Sequence, residues 1–220
     1  MQKQYFGDIT DFYKFFFLKN IVGEYSLGIN WCLTSNDGST DGSNKVKNIS
    51  LFENIDKTLC CILLSMDFKN IQLKYFKNDT KYYDELIENY FMEYNYELRA
   101  FNTLKSQDVI FFDPDNGIEI PSMTLFKRNK FISYRTIATF WNNENSLIIF
   151  QHKDRQKDSL KIKKENLVKC LKCKESDILI VNSKKVYYIC LINKKHKYLM
   201  KNIKCFCKEN EKLGYKIEVV

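Results

Sequence analysis

Residues 108–122 read DVIFFDPDNGIEIPS. Val109 to Phe112 form an unbroken apolar run, and Asp113 ends it. A short run of this kind, bounded by turn residues, predicts a strand buried on both faces, as in a parallel sheet covered by helices. Pro114 and Gly117 then predict a tight turn that presents Asp113, Asp115 and Asn116 side by side. Two carboxylates so close repel each other, so the turn needs a cation, a hydrogen-bond donor or water beside it.

Working outward, the same alternation recurs. Downstream, Tyr134–Asn142 predicts a helix, Ser146–Gln151 a second fully buried strand and Leu160–Lys172 a basic amphipathic helix. Ile178–Val181 and Val186–Ile192 follow as short strands, then a helix over Tyr198–Lys212, a stop at Gly214 and a last strand over Tyr215–Val220. Upstream, Tyr82–Leu104 predicts one long aromatic-rich helix, Ile71–Phe76 a short strand and Leu51–Ser65 a helix, although its run LCCILLSM also suits a strand. Before these come a helix over Asp8–Glu24, capped by Asp8, a buried strand over Leu27–Leu33 and a turn-rich loop over Thr34–Asn44. The expected fold class is α/β: a Rossmann-like, mainly parallel sheet with helices on both faces, in one domain over 1–220. Ligands of such sheets bind beyond the carboxyl ends of the strands, where the loops after Leu33 and Phe112 fall.

Composition agrees with a globular chain: 220 residues, 45% apolar and 28% charged. The net charge of +8 is unevenly spread, since residues 151–220 hold 19 Lys or Arg against eight Asp or Glu. The C-terminal third is therefore strongly basic, which points to phosphate-bearing partners, nucleic acid or nucleotide. The start, MQKQYFGDITD, is too polar for a signal peptide, and the longest apolar runs, such as Leu59–Met66, are too short to cross a bilayer. A soluble, cytoplasmic protein with reduced cysteines and no membrane partner is expected. Cys170–Cys173 and Cys205–Cys207 lie in Lys-rich helical segments without knuckle residues and read as helix cysteines rather than a zinc site.

The chemistry-bearing candidates gather around the two strand ends. Asp113 and Asp115 suit Mg²⁺ or Mn²⁺ through oxygen ligands, or general-base work, or acceptance of a hydrogen bond from a base amine, with Asn116 beside them. His152 follows the next strand directly and suits proton transfer near neutral pH; Arg155 suits a phosphate or carboxylate. Asp11 and Lys14, expected on the polar side of the first helix, lead toward the first strand. Asp37, Gly38 and Asp41 in the loop suit an adenosine or phosphate, without a G-x-G-x-x-G or P-loop pattern.

YFGDITDFYKFFFLKNI at 5–21, DVIFFDPDNGIEI at 108–120 and SLIIFQH at 146–152 together resemble an uncharacterised microbial family with a YFGD-type start and a DPDNG turn. More distantly, the chain is similar to class I methyltransferases of the ribosomal-RNA adenine type, which open with an Asp-x-x-Lys helix, and to the three-Cys-motif partner proteins. That resemblance matches Asp11–Lys14 to the opening helix and Thr34–Gly42 to the loop that holds S-adenosylmethionine. It matches Asp113 and Pro114 to the first two residues of a catalytic DPPY-type turn, where the carboxylate and the Pro carbonyl receive the target amine. The turn departs from the pattern at Asp115, where the family has Pro, and at Asn116, where it has a stacking aromatic. Three expectations follow. One is a methyltransferase-like enzyme acting on nucleic acid or nucleotide. Another is a Mg²⁺- or Mn²⁺-dependent phosphodiester or glycosyl transfer enzyme using Asp113, Asp115 and His152. The third is a non-catalytic module that binds nucleic acid or protein.

Overall fold

The computed structural model describes residues 1–35, 49–87, 93–153, 158–184 and 186–219. Helix α1 spans Ile9–Val22 and leads into β1, Leu27–Asn30, and the short β2, Leu33–Thr34. Two helices follow, α2 over Lys57–Leu64 and α3 over Phe68–Lys74, then β3 over Lys81–Tyr83 and β4 over Leu86–Ile87. Next come α4 (Glu93–Leu104), β5 (Val109–Phe112), β6 (Gly117–Ile118), β7 (Phe131–Ile132) and α5 (Tyr134–Asn142). The chain continues through β8 (Ser146–His152), α6 (Ser159–Leu171), β9 (Ile178–Asn182), β10 (Val186–Leu191), α7 (Lys197–Glu209) and β11 (Lys216–Glu218). No helix among the described residues is long and apolar enough to cross a membrane.

Among the described residues, seven strands form one sheet in the order β3–β1–β5–β8–β10–β9–β11. Strands β3, β1, β5, β8 and β9 point the same way, while β10 and β11 run against them. Alternation along the central strands splits the core in two. Val109 and Phe111 of β5 join Ile148 and Phe150 of β8 beneath α1, α2, α3 and α7. Ile110 and Phe112 join Leu147 and Ile149 on the opposite face, beneath α4, α5 and α6. The result is the expected Rossmann-like α/β arrangement, helix-covered on both faces. The chain builds β3 on one side of β1 and then crosses to build β5 on the other. The strand order therefore reverses between β1 and β5, the position at which such sheets open a crevice for ligand.

Three local expectations are corrected. Residues 71–76 are not a strand: α3 buries Phe68, Ile71 and Tyr75 at helical spacing, and Asp67 caps it by accepting from Lys69 N. Of the long helix expected over Tyr82–Leu104, the described residues are helical in α4, from Glu93. The first residues of that stretch form β3, whose Tyr82 and Tyr83 face the two opposite cores. The strand expected over Leu27–Leu33 breaks into β1 and β2, because Cys32 takes a left-handed φ of 45° and Trp31 N turns to Tyr83 O.

Candidate functional site

A pocket of about 620 Å³ opens beyond the carboxyl ends of β5 and β8. The start of α1, the Asp113–Asn116 turn, Lys127, Lys130, Phe150 and His152 line it. Its size lies in the range of small-molecule and cofactor sites.

Helix α1 carries the first half of the site. Phe12, Phe15, Phe16, Phe17, Leu18 and Ile21 surround it with apolar contacts, so it is buried nearly all round. Asp11 and Lys14 therefore have no polar, solvated side to occupy, contrary to the expectation from sequence. They are 5% and 3% exposed and must pair inside the protein. Lys14 Nζ donates to Asp11 Oδ1 at 2.7 Å, one helical turn back, and to Asp113 Oδ2 at 2.7 Å across the sheet edge. Gly7 N donates to the other Asp11 oxygen at 2.8 Å. Burial works against the Lys14 ammonium, but the carboxylates of Asp11 and Asp113 outweigh it and hold its pKa above the ordinary lysine value. The same ammonium sits 5.1 Å from the ring centres of Phe15 and Phe150.

The acidic turn is the second half. Asp113 is buried; burial raises its pKa, and Lys14 and the amino group of Met1 oppose that rise. Asp115 meets the Met1 amino group at 3.0 Å and accepts from Thr34 Oγ1 at 2.5 Å. Each carboxylate thus has an ammonium partner, which answers the repulsion the sequence poses. Gly117 takes φ +101°, and a Cβ there would stand 2.3 Å from Gln151 Oε1. That closeness is used: Gln151, wholly buried at the end of β8, accepts from Ile118 N at 3.0 Å and donates to Asn116 O at 3.2 Å. One side-chain amide clamps the turn in place.

His152 lies at the rim, its ring 5.0 Å from that of Phe150 and edge-on to it. It is exposed by surface area, yet protein crowds it: burial lowers its pKa, Asp113 and Asp115 pull upward, and Lys14 pushes down. Asp8 caps α1 by accepting from Asp11 N at 2.8 Å, and its carboxyl is pushed up to about 6 by burial and then by Asp11.

Of the residues singled out from sequence, Asp11, Lys14, Asp113, Asp115, Asn116 and His152 all line this one pocket. Asp37, Gly38, Asp41 and Arg155 lie outside the described residues. Sequence reasoning missed the polar work of Gln151, hidden as the last letter of SLIIFQ, and of Thr34, taken only as the start of a loop. It also passed over Asp8, read only as a cap, and the basic run Lys127-Arg128-Asn129-Lys130. For the metal reading, a cation at Asp113 and Asp115 would have to displace Lys14 or the Met1 amino group. Among the described residues no group of three or more His, Cys, Asp or Glu could hold a metal ion.

A Ser–His–Asp arrangement exists at the opposite edge of the sheet. Ser146 Oγ lies 2.9 Å from His196 Nδ1, and His196 Nε2 lies 3.5 Å from Asp108 Oδ1. Ser146 is fully buried and its Oγ also accepts from Asn193 N at 2.9 Å. This trio fastens the amino ends of β5 and β8 to the segment before α7; it offers no exposed nucleophile.

No family model, curated protein or solved structure matches the chain.

Proposed function

We propose that the chain is an enzyme that methylates an amine of a nucleobase, in a nucleotide or nucleic acid, with S-adenosylmethionine as donor. The observation that carries this reading is the contact of Lys14 with Asp113. The two motifs of the methyltransferase resemblance, Asp11-x-x-Lys14 and Asp113-Pro114, are far apart in sequence, and they meet through a 2.7 Å ion pair in the wall of one pocket. The pocket also suits the donor. Asp8, Asp11, Asp113 and Asp115 favour a positive group, Lys127 and Lys130 favour a carboxylate, and the volume admits a nucleoside-sized ligand.

S-adenosylmethionine, when bound, supplies an electrophilic methyl group. The chain's own residues orient the acceptor. Lys14 opposes the rise that burial gives the Asp113 pKa and fixes the direction of its carboxyl, and Asp113 and Pro114, both lining the pocket, would take the hydrogen bonds of the amine. Asp8, its carboxyl pushed up to about 6 and lining the same pocket, is the group that would receive a proton. His152, at the rim, offers a flat face to a base.

Calorimetric titration with S-adenosylmethionine, followed by transfer of labelled methyl to RNA, DNA and free nucleotides, tests the reading. Binding in the native protein and loss of transfer with retained fold in Asp113→Asn support it. Absence of binding overturns it. In that case the non-catalytic module takes its place, because both turn carboxylates are already satisfied within the protein.

A further inference from the structure

We infer that the acceptor is a single-stranded nucleic acid, held along the sheet edge by a lysine rail formed by Lys153, Lys184 and Lys216 that continues the basic lining of the pocket mouth. This inference rests on the proposed reading of the pocket and specifies its substrate. The rail follows from topology. Lys153 comes directly after His152 of β8, Lys184 lies between β9 and β10, and Lys216 opens β11. Register places all three at the carboxyl end of β8: His152 pairs with Val186, and Asn182 pairs with both Tyr187 and Lys216. All three lysines are exposed.

They also form one surface. Lys153 Nζ donates to Lys184 O at 3.2 Å and lies 5.1 Å from the Tyr187 ring centre. The Lys184 stem covers Gly214, whose added Cβ would meet Lys184 Cγ at 2.5 Å. Lys216 is 3.4 Å from Glu218, which Asn182 also engages. Burial depresses the pKa of Lys153; Glu218 opposes this and the Lys216 ammonium adds to it. Like charges close enough to perturb each other are a standing cost that phosphates relieve.

From β8 to β11 are three strand spacings, so the rail runs roughly 14 Å away from the pocket. That is longer than one nucleotide needs. Lys127 and Lys130 line the pocket itself, and the exposed His152 ring stands where rail and pocket join. Cation, aromatic face and base-sized cavity in sequence suit an unpaired base whose backbone continues along the edge, since a base stacked in a duplex cannot enter.

The test is fluorescence anisotropy with labelled 12-nucleotide oligo-A and oligo-U, the matching duplex and a mononucleotide competitor, across a salt series. The full chain is compared with K153Q/K184Q/K216Q, which leaves every pocket residue intact. Expected are single-strand binding at least tenfold tighter than duplex and mononucleotide, and a tenfold or greater loss in the variant. The salt slope should become shallower by about 2, since each single-strand phosphate contact contributes about 0.7. Unchanged affinity in the variant, a flat salt response, or a preference for duplex or mononucleotide overturns the rail. S-adenosylmethionine titration of the unmutated chain, run beside its strand binding, separates the two readings. Retained donor binding with no strand binding removes the rail alone, and strand binding without donor binding removes the methyltransferase reading.

Discussion

Lys14→Met is the perturbation that bears hardest on the site. The lysine side chain is 4% exposed and faces carboxylates at 2.7 Å on two sides. Methionine fills a similar volume, so packing against Phe15 and Phe150 changes little. What changes is charge: Asp11 and Asp113 are left buried without their shared cation. Breaking a buried pair by removing one member costs about 3–5 kcal/mol, and here one removal orphans two acids. For a chain of this size that lowers the melting temperature by roughly 6–20 °C. The sign of the pH dependence follows. Without Lys14 to oppose burial, the Asp113 carboxyl has a folded pKa above its unfolded value of about 3.9, so the penalty is full at neutral pH and shrinks as acid protonates it. Denaturant unfolding of both proteins at pH 7.5 and pH 5 measures this. The stability gap should narrow at pH 5, and Lys14→Met/Asp113→Asn should recover part of the loss. A Lys14→Met protein within 1 kcal/mol of the parent, or a gap that does not change with pH, would refute the argument that the three groups form one ionised unit.

Gly117→Ala should destabilise by more than ~1 kcal/mol, because the residue needs φ +101° and its Cβ would strike Gln151; unchanged unfolding would remove the clamp. The same variant should weaken any pocket ligand more than it weakens the rail, measured by calorimetry and anisotropy. Burial lowers the pKa of both His152 and His196, with nearby carboxylates opposing. Both Cε1 proton resonances should therefore titrate below the ordinary value of about 6.5, and a midpoint at or above it would contradict the burial. Folded pKa values below unfolded ones mean their stability is present above about pH 6.5 and is lost as pH falls through the folded values.

The parts legible in the sequence were those where local pattern and tertiary need agree. Val109–Phe112 has only apolar letters and a Pro–Gly turn behind it, and any sheet that buries it produces β5. Residues 71–76 mislead for a definite reason: Ile71, Leu73 and Tyr75 alternate with Gln72 and Lys74 like a half-buried strand. The structure leaves Leu73 75% exposed and uses the spacing of Phe68, Ile71 and Tyr75 instead. Apolar residues at both periods compete, and the helix surface available to α1 and Trp31 decides. In the site, the acids of the turn were visible because a strand end followed by D-P-D-N-G is unusual. Their partners were not, since nothing local says that Lys14 reaches across 99 residues or that Gln151 turns inward.

The hydroxyl groups of two tyrosines give the site a dependence on the far end of the chain. Tyr13, next to Lys14, donates to Leu213 O at 3.1 Å, and Tyr215 OH donates back to Tyr13 O at 2.7 Å. These bonds staple α1 to residues that a ribosome delivers some two hundred positions later. During synthesis the helix that carries Asp11 and Lys14 must wait, its aromatic flank uncovered, until α7 and β11 emerge. A chain cut before Leu213 would keep every residue that lines the pocket and lose the brace on the helix that carries two of them.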